Sequence, residues 1–244
     1  MASPLILIQA RTGGTRFPGK VLQEIQGRPM WKQVLHRVHP LALAHVAWAE
    51  SFPHICEDDV LGRFARYTSK YFGPEWDPII RLTADCPLID PGVVAHVLGL
   101  YRMAEGDLDL VATGPEWDGL DVEVFSQEAL RLAEQHCGSS ADREHVTPWM
   151  RRNLRTRVVP LNTTLRWSVD DPEGLAFVRV VYAACVHCAE GVPHHTNAAG
   201  SISGQDRMPV FDLHHLSRGD LAECTAYPLL QTRMGGPVYV SGGG

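Results

Sequence analysis

The chain has 244 residues, 45% hydrophobic and 20% charged, with Lys+Arg 22 against Asp+Glu 28 and a formal net charge of -6. That length buries a sizeable core in one large domain or two small ones, and the acidic balance argues against a general nucleic-acid or anionic-membrane binder. No apolar run approaches the ~20 residues that span a bilayer, Met1 to Ile8 lacks the features of a secretory leader, and Cys56, Cys86, Cys137, Cys185, Cys188 and Cys224 are scattered like the reduced thiols of a cytoplasmic protein.

Strand-like and helix-like runs alternate along the chain. Leu5-Ile6-Leu7-Ile8 is a continuous apolar run, the pattern of a strand buried on both faces. Pro29 opens a predicted helix with Met30, Trp31, Val34, Leu35 and Val38 on one side. Asp58 and Asp59 can cap a helix whose apolar stripe is Leu61, Phe64, Thr68 and Tyr71. Ile79 to Thr83 is a second core strand, and Asp90-Pro91 is an N-cap with Pro at the first helical position, ahead of Val94, Val97, Leu98 and Tyr101. Leu108 to Ala112 reads as a strand and Ser126 to His136 as a Ser-capped helix; Arg157 to Val159 and Leu165 to Val169 are further strands. Asp171-Pro172 then caps a helix with Leu175, Val178, Tyr182 and Cys185 in line. Alternation of this kind predicts an α/β fold, a mostly parallel central sheet with helices on both faces. Ligands of such sheets sit off the carboxyl ends of the strands.

The loop after the first strand, Gln9-Ala10-Arg11-Thr12-Gly13-Gly14-Thr15-Arg16-Phe17-Pro18-Gly19-Lys20, sits at such an end. Its paired glycines let backbone N–H groups turn toward an anion, and Arg11, Arg16 and Lys20 can neutralise a polyphosphate. Gly14 to Lys20 also fits the opening of a P-loop. Val21, however, stands where that loop needs a hydroxyl for magnesium, so a P-loop is set aside.

These residues carry a resemblance. Ile8 to Leu22 resembles the signature loop of the cytidylyltransferases that activate acidic sugars, with the SpsF-like branch of spore-coat polysaccharide biosynthesis nearest and the CMP-Kdo and CMP-sialic acid synthetases related. Further blocks agree in order: Asp58 to Phe64, Arg81-Leu82-Thr83-Ala84-Asp85-Cys86-Pro87-Leu88-Ile89-Asp90-Pro91, Asp118 to Phe125, Asp142 to Pro148 and, more loosely, Val169 to Glu173. The resemblance implies a Rossmann-like nucleotidyltransferase fold, often dimeric, that moves CMP from CTP to a small anionic acceptor with release of pyrophosphate and a need for magnesium. The acceptor would be a nonulosonic or Kdo-like acid or a phosphonate.

By the same resemblance Asp85 and Asp170 are the magnesium ligands, and one or two carboxylates suffice for a cation that also binds phosphate. Arg11, Arg16 and Lys20 would hold the β- and γ-phosphates and stabilise the leaving group. Thr12, Gly13 and Gly14 lie in the nucleotide-binding loop, and Ala10 and Thr83 would edge the cytosine pocket. Asp118, Asp121 and Glu123 form an acidic cluster, either a polar rim or an acceptor site. Arg143, Glu144 and His145 either bind the acceptor or belong to a dimer contact. An acceptor already ionised needs no general base; a hydroxyl acceptor does, with Asp85 or Asp121 as candidates.

Residues 1–240 are expected to form a single domain with 241–244 as a flexible tail. Three departures stand out. The stretch 44–57 is too short for the strand, helix and strand of the family, which suggests a lost strand–helix unit and, as an alternative, a degenerate member that binds nucleotide or a partner without turnover. Gly174 enters a helix early, at about 1 kcal/mol relative to Ala. The His/Cys/Gly-rich segment 186–209 reads as an irregular surface loop; Cys185, Cys188, His194 and His195 have zinc-ligand chemistry but no second Cys-x-x-Cys to complete it.

Overall fold

The computed structural model describes residues 3–14, 16–48, 55–56, 58–160 and 167–191. The elements follow in order as β1 (Leu5–Ala10), β2 (Glu24–Ile25), β3 (Arg28–Pro29), α1 (Met30–Val38), β4 (Leu43–Trp48), α2 (Val60–Tyr71), β5 (Ile79–Thr83) and α3 (Pro91–Met103). Then come β6 (Leu110–Thr113), β7 (Glu123–Phe125), α4 (Gln127–His136), α5 (Ser140–His145), α6 (Pro148–Asn153), β8 (Thr156–Val159) and α7 (Pro172–Gly191).

Four of the predicted helix starts hold because each has a side-chain oxygen for an orphan N–H, whereas α1 opens after Pro29 without one. Asp59 accepts from the Gly62 N–H at 3.0 Å, Asp90 from Gly92 at 2.7 Å, Ser126 from Ala129 at 3.0 Å and Asp171 from Gly174 at 2.7 Å. The last of these gives Gly174 its place in the first turn of α7. On α2 the buried stripe runs through Tyr67, which is 2% exposed, whereas the predicted Tyr71 stands 51% exposed at the helix end.

Six strands form one sheet in the order β4-β1-β5-β7-β6-β8. β1 is parallel to both β4 and β5, β6 is parallel to β8, and β7 runs antiparallel between β5 and β6. Alternation along the strands divides the core between two faces. Leu5, Leu7, Ile79, Leu110 and Phe125 pack with α2, α4 and α6 on one, and Ile6, Ile8, Ile80, Leu82, Val111 and Val124 pack with α1 and α3 on the other. Burial on both faces explains why β1 is apolar throughout. A third cluster joins Ile25, Met30, Leu88, Leu120, Trp167, Val169 and the inner side of α7.

Residues 43–48 are the edge strand β4, and α2 alone carries the chain from β4 to β5, an arrangement in keeping with the short 44–57 stretch; residues 49–54 and 57 lie outside the described residues. The structure departs from the sequence reading in three places. The strand expected at 108–112 begins at Leu110, because the Asp109 carboxylate accepts from the Arg155 backbone and guanidinium. Residues 167–169, expected to end a strand, join no strand; 165 and 166 lie outside the described residues. Their backbone is instead held by the Trp167 N–H on the Asp118 carbonyl at 2.8 Å and the Val169 N–H on the Asp85 carbonyl at 2.9 Å. Residues 186–191, expected as loop, continue α7 as helix, while 192–209 and the tail 241–244 lie outside the described residues.

Candidate active site

The chain leaves β1 first toward β4 on one side and then crosses to β5 on the other. The sheet order therefore reverses between β1 and β5, and a crevice opens outside their carboxyl ends, the usual ligand position in such sheets. The loop after β1 lies there. Gly19, at φ 68°, closes it by donating its N–H to the Thr12 carbonyl at 2.8 Å, and the Ala84 N–H ties the loop after β5 to the Gln9 carbonyl at 2.9 Å. Within the loop Gly13 is exposed and Gly14 half-buried; at its start Ala10 is 2% exposed.

Lys20 reaches back across the crevice. Its ammonium donates to Asp85 Oδ2 at 2.7 Å, to the Val169 carbonyl at 2.9 Å and to Asp170 Oδ1 at 3.3 Å. Burial pushes the ammonium pKa down, but the carboxylates of Asp85 and Asp170 more than offset it, and the net pKa is raised. Two carboxylates that lie 85 residues apart in sequence thus converge on a single positive charge. Arg16 adds a longer contact to Asp170 at 3.7 Å, with its side chain 75% exposed.

Arg11 is placed differently. It pairs with Asp58 at 2.9 Å and Glu144 at 3.7 Å, which links the loop to the starts of α2 and α5. Arg143 pairs with Asp59 at 2.9 Å and donates to the Cys137 carbonyl, so it joins α5 to α2; His145 is exposed. Arg143 and Glu144 therefore bond to Asp59 and Arg11 and not to Asp118 or Asp121. They secure the side of the crevice near Arg11.

Glu123, expected beside the acceptor, is 8% exposed and bound by Arg81, Arg151 and the Thr147 hydroxyl. Burial pushes its pKa up, and Arg81 and Arg151 reverse that, so it lies below the usual value. Arg81 also grips Gln9 Oε1 through Nη2 at 2.6 Å. This polar chain continues the Leu5/Leu7 face of the sheet toward the crevice. The sequence reading assigned no role to Gln9, Arg81, Thr147 or Arg151, although a lone Arg within the apolar strand Ile79–Thr83 is itself a signal that a buried counter-charge must exist.

Asp121 is half-buried, and its Oδ2 accepts the Gly119 N–H at 3.0 Å. Burial, with Asp118 and Glu123 nearby, pushes its pKa up to about 6. Gly119 has φ 90°, and a Cβ there would meet Ser168 N and Trp167 C at 2.3 Å. The 118–121 turn is thereby pressed against the segment that carries Asp170, whose Oδ2 accepts from the Ser168 hydroxyl at 3.4 Å. Thr83 Oγ1 contacts Cys86 Sγ at 3.0 Å. Burial raises the Cys86 thiol well above its ordinary pKa, helped by Asp85, Asp121 and Asp118, so it is an un-ionised wall of the crevice.

Among the described residues no three His, Cys, Asp or Glu side chains converge as a metal site. The side chains of Cys185 and Cys188, and the whole of His194 and His195, lie outside what is described. Among the described residues no helix is long and apolar enough to cross a membrane.

Comparison with known proteins agrees with this layout. Residues 5–47 match the family described as Cytidylyltransferase. An uncharacterized protein of Methanocaldococcus jannaschii is 30% identical over 166 residues, covering 60% of this chain and 66% of its own. The 3-deoxy-manno-octulosonate cytidylyltransferase of Pasteurella multocida is 27% identical over 157 residues, covering 57% of this chain and 58% of its own. The chain thus spans about half to two thirds of the length of these curated relatives. A cytidylyltransferase structure from Leptospira borgpetersenii superposes with a TM-score of 0.65 at 22% identity, over 77% of this chain and 88% of that one, a likeness of fold. In its matched segment, its relatives and its fold, this chain is similar to cytidylyltransferases.

Proposed function

We propose that the protein transfers CMP from CTP to a small anionic acceptor, an acidic sugar or a phosphonate, and releases pyrophosphate, as the SpsF-like branch of its family does by resemblance. The observation that carries this reading is the meeting of Asp85 and Asp170 on Lys20 beneath the glycine-rich loop.

The donor set suits magnesium. Two carboxylates and the Val169 carbonyl already surround one cationic group, and a hard cation that also takes phosphate oxygens needs few protein ligands. Asp85 and Asp170 would hold it, and when bound it supplies charge neutralisation along the phosphate chain. Lys20 and Arg16, released from the acids, bind the β- and γ-phosphates and stabilise the leaving pyrophosphate. Arg11, braced by Asp58 and Glu144, shapes the near side of the loop and adds positive charge. The exposed amides around Gly13 and Gly14 offer further donors, and Ala10 and Thr83 edge the cytosine. The acceptor lies on the side of Asp118 and Asp121.

The alternative of a member without turnover draws on the short 44–57 stretch, and the convergence of Lys20, Asp85 and Asp170 favours a working site instead. The test is pyrophosphate release from each of the four nucleoside triphosphates over a panel of acidic sugars and phosphonates. CTP should be selected, and Asp85→Asn should lower turnover by about 100-fold or more. Undiminished turnover in that variant would overturn the assignment of Asp85.

A further inference from the structure

The acids of the crevice are not equivalent. Asp85 and Asp170 share Lys20, Glu123 lies between Arg81 and Arg151, and Asp58 and Asp59 each hold an arginine. Asp121 makes no ion pair among the described residues; its one hydrogen bond there comes from the Gly119 backbone to Oδ2. It also has a defined place. Its turn leads into β7, and the segment 167–169 bridges that turn to the loop after β5: the Trp167 N–H donates to the Asp118 carbonyl at 2.8 Å and the Val169 N–H to the Asp85 carbonyl at 2.9 Å. Asp121 therefore sits on a turn that is tied, through the segment bearing Asp170, to the loop that bears Asp85.

The groups around it are mostly acidic or neutral. Asp118 lies on its own turn, Glu123 at the start of β7, Arg81 on β5, and Asp85 and Cys86 on the loop after β5. Ser168 and Asp170 follow on the segment laid against Gly119. Burial and the acids outweigh the pull of Arg81, and the carboxyl exchanges its proton near pH 6, in the range that suits a base working near neutrality.

We propose that Asp121 is the catalytic base for a hydroxyl acceptor, which separates its role from that of Asp85. This rests on the cytidylyltransferase reading above and deepens it. Asp121 Oδ1 takes the hydroxyl proton while the hydroxyl oxygen forms its bond to the α-phosphorus. The bond from that phosphorus to the bridging oxygen breaks, and its electron pair leaves with pyrophosphate. The protonated Asp121 then returns its proton to water. Asp85 is instead engaged by the Lys20 ammonium at 2.7 Å.

The experiment compares full-length wild type, Asp121→Asn, Asp121→Glu and Asp85→Asn. Pyrophosphate release is followed from pH 5 to 8.5 with CTP and a 3-deoxy-octulosonate, and CTP affinity is measured in parallel by calorimetry. Wild-type kcat should fall on the acid side with an apparent pKa near 6. Asp121→Asn should lose about 100-fold in kcat and the acid limb with it, with CTP affinity within threefold of wild type, while Asp121→Glu should recover part of the rate. An unchanged acid limb in Asp121→Asn, a kcat within threefold of wild type, or loss of CTP binding would overturn the role. A wild type that releases no pyrophosphate with any acceptor would instead remove the reading of the whole site, and this role with it.

Discussion

Gly119→Ala tests how the 118–121 turn and the Asp170 segment are fitted together. The residue sits at φ 90°, where an L side chain is strained by about 1–3 kcal/mol. Its new methyl would also lie 2.3 Å from Ser168 N and Trp167 C, which are backbone atoms that cannot swing aside. Overpacking of this kind adds about 1–3 kcal/mol, so the expected loss is about 2–6 kcal/mol. With a urea m-value of about 3 kcal/mol/M, the unfolding midpoint falls by about 1–2 M. Gly106→Ala is the control, since Gly106 has φ 94° but nothing within 4 Å of its would-be Cβ. It should show the backbone strain alone and leave pyrophosphate release unchanged. In Gly119→Ala the displaced segment carries Asp170 with it, and a misplacement of about 1 Å at a reacting centre lowers turnover on the order of 100-fold. Equal urea midpoints for the two variants, or full turnover in Gly119→Ala, would refute the claim that close backbone approach sets Asp170.

Glu123→Ala leaves Arg81 and Arg151 without their shared carboxylate, and loss of one member of a buried ion cluster costs about 3–5 kcal/mol; a urea midpoint near wild type would show the network to be unimportant. Asp121 makes the opposite contribution with pH. Its folded pKa is raised from 3.8 to about 6, so the stability tied to its proton is present below about 3.8 and lost as pH rises through about 6. At about 1.36 kcal/mol per pKa unit the effect is about 3 kcal/mol. Asp121→Asn should therefore match wild type in thermal melting at pH 4 and exceed it at pH 8, and a difference that stays flat over that span would contradict the burial of an uncompensated charge. Together with the loss of turnover expected for the same variant, this would mark Asp121 as a position where activity is maintained at the expense of stability.

Elements whose cause is local were legible in the sequence. Leu5 to Ile8 and Ile79 to Thr83 announce buried strands by composition, and Asp59, Asp90, Ser126 and Asp171 announce helix starts because the capping oxygen and the N–H it accepts are two or three residues apart. β7 was not legible. Three residues are too few for a period, and Glu123 in its middle reads as surface until Arg81, Arg151 and Thr147 are brought to it. Residues 167–169, the described part of the strand expected at 165–169, were misread because extended backbone has the same composition whether its partner is a sheet neighbour or, as here, the carbonyls of Asp118 and Asp85.

By itself the sequence determined the α/β alternation, the capped helices and a cation-rich loop behind the first strand, since each depends on residues within a turn or two of one another. Which acids meet, and which are left over, was decided by the tertiary structure. Lys20, Asp85 and Asp170 come together because the sheet reverses its order between β1 and β5, and Asp121 is left without an ion pair among the described residues because Glu123 takes both Arg81 and Arg151. Charge pairing acts over a few ångströms in space, and a linear sequence records only which charges exist.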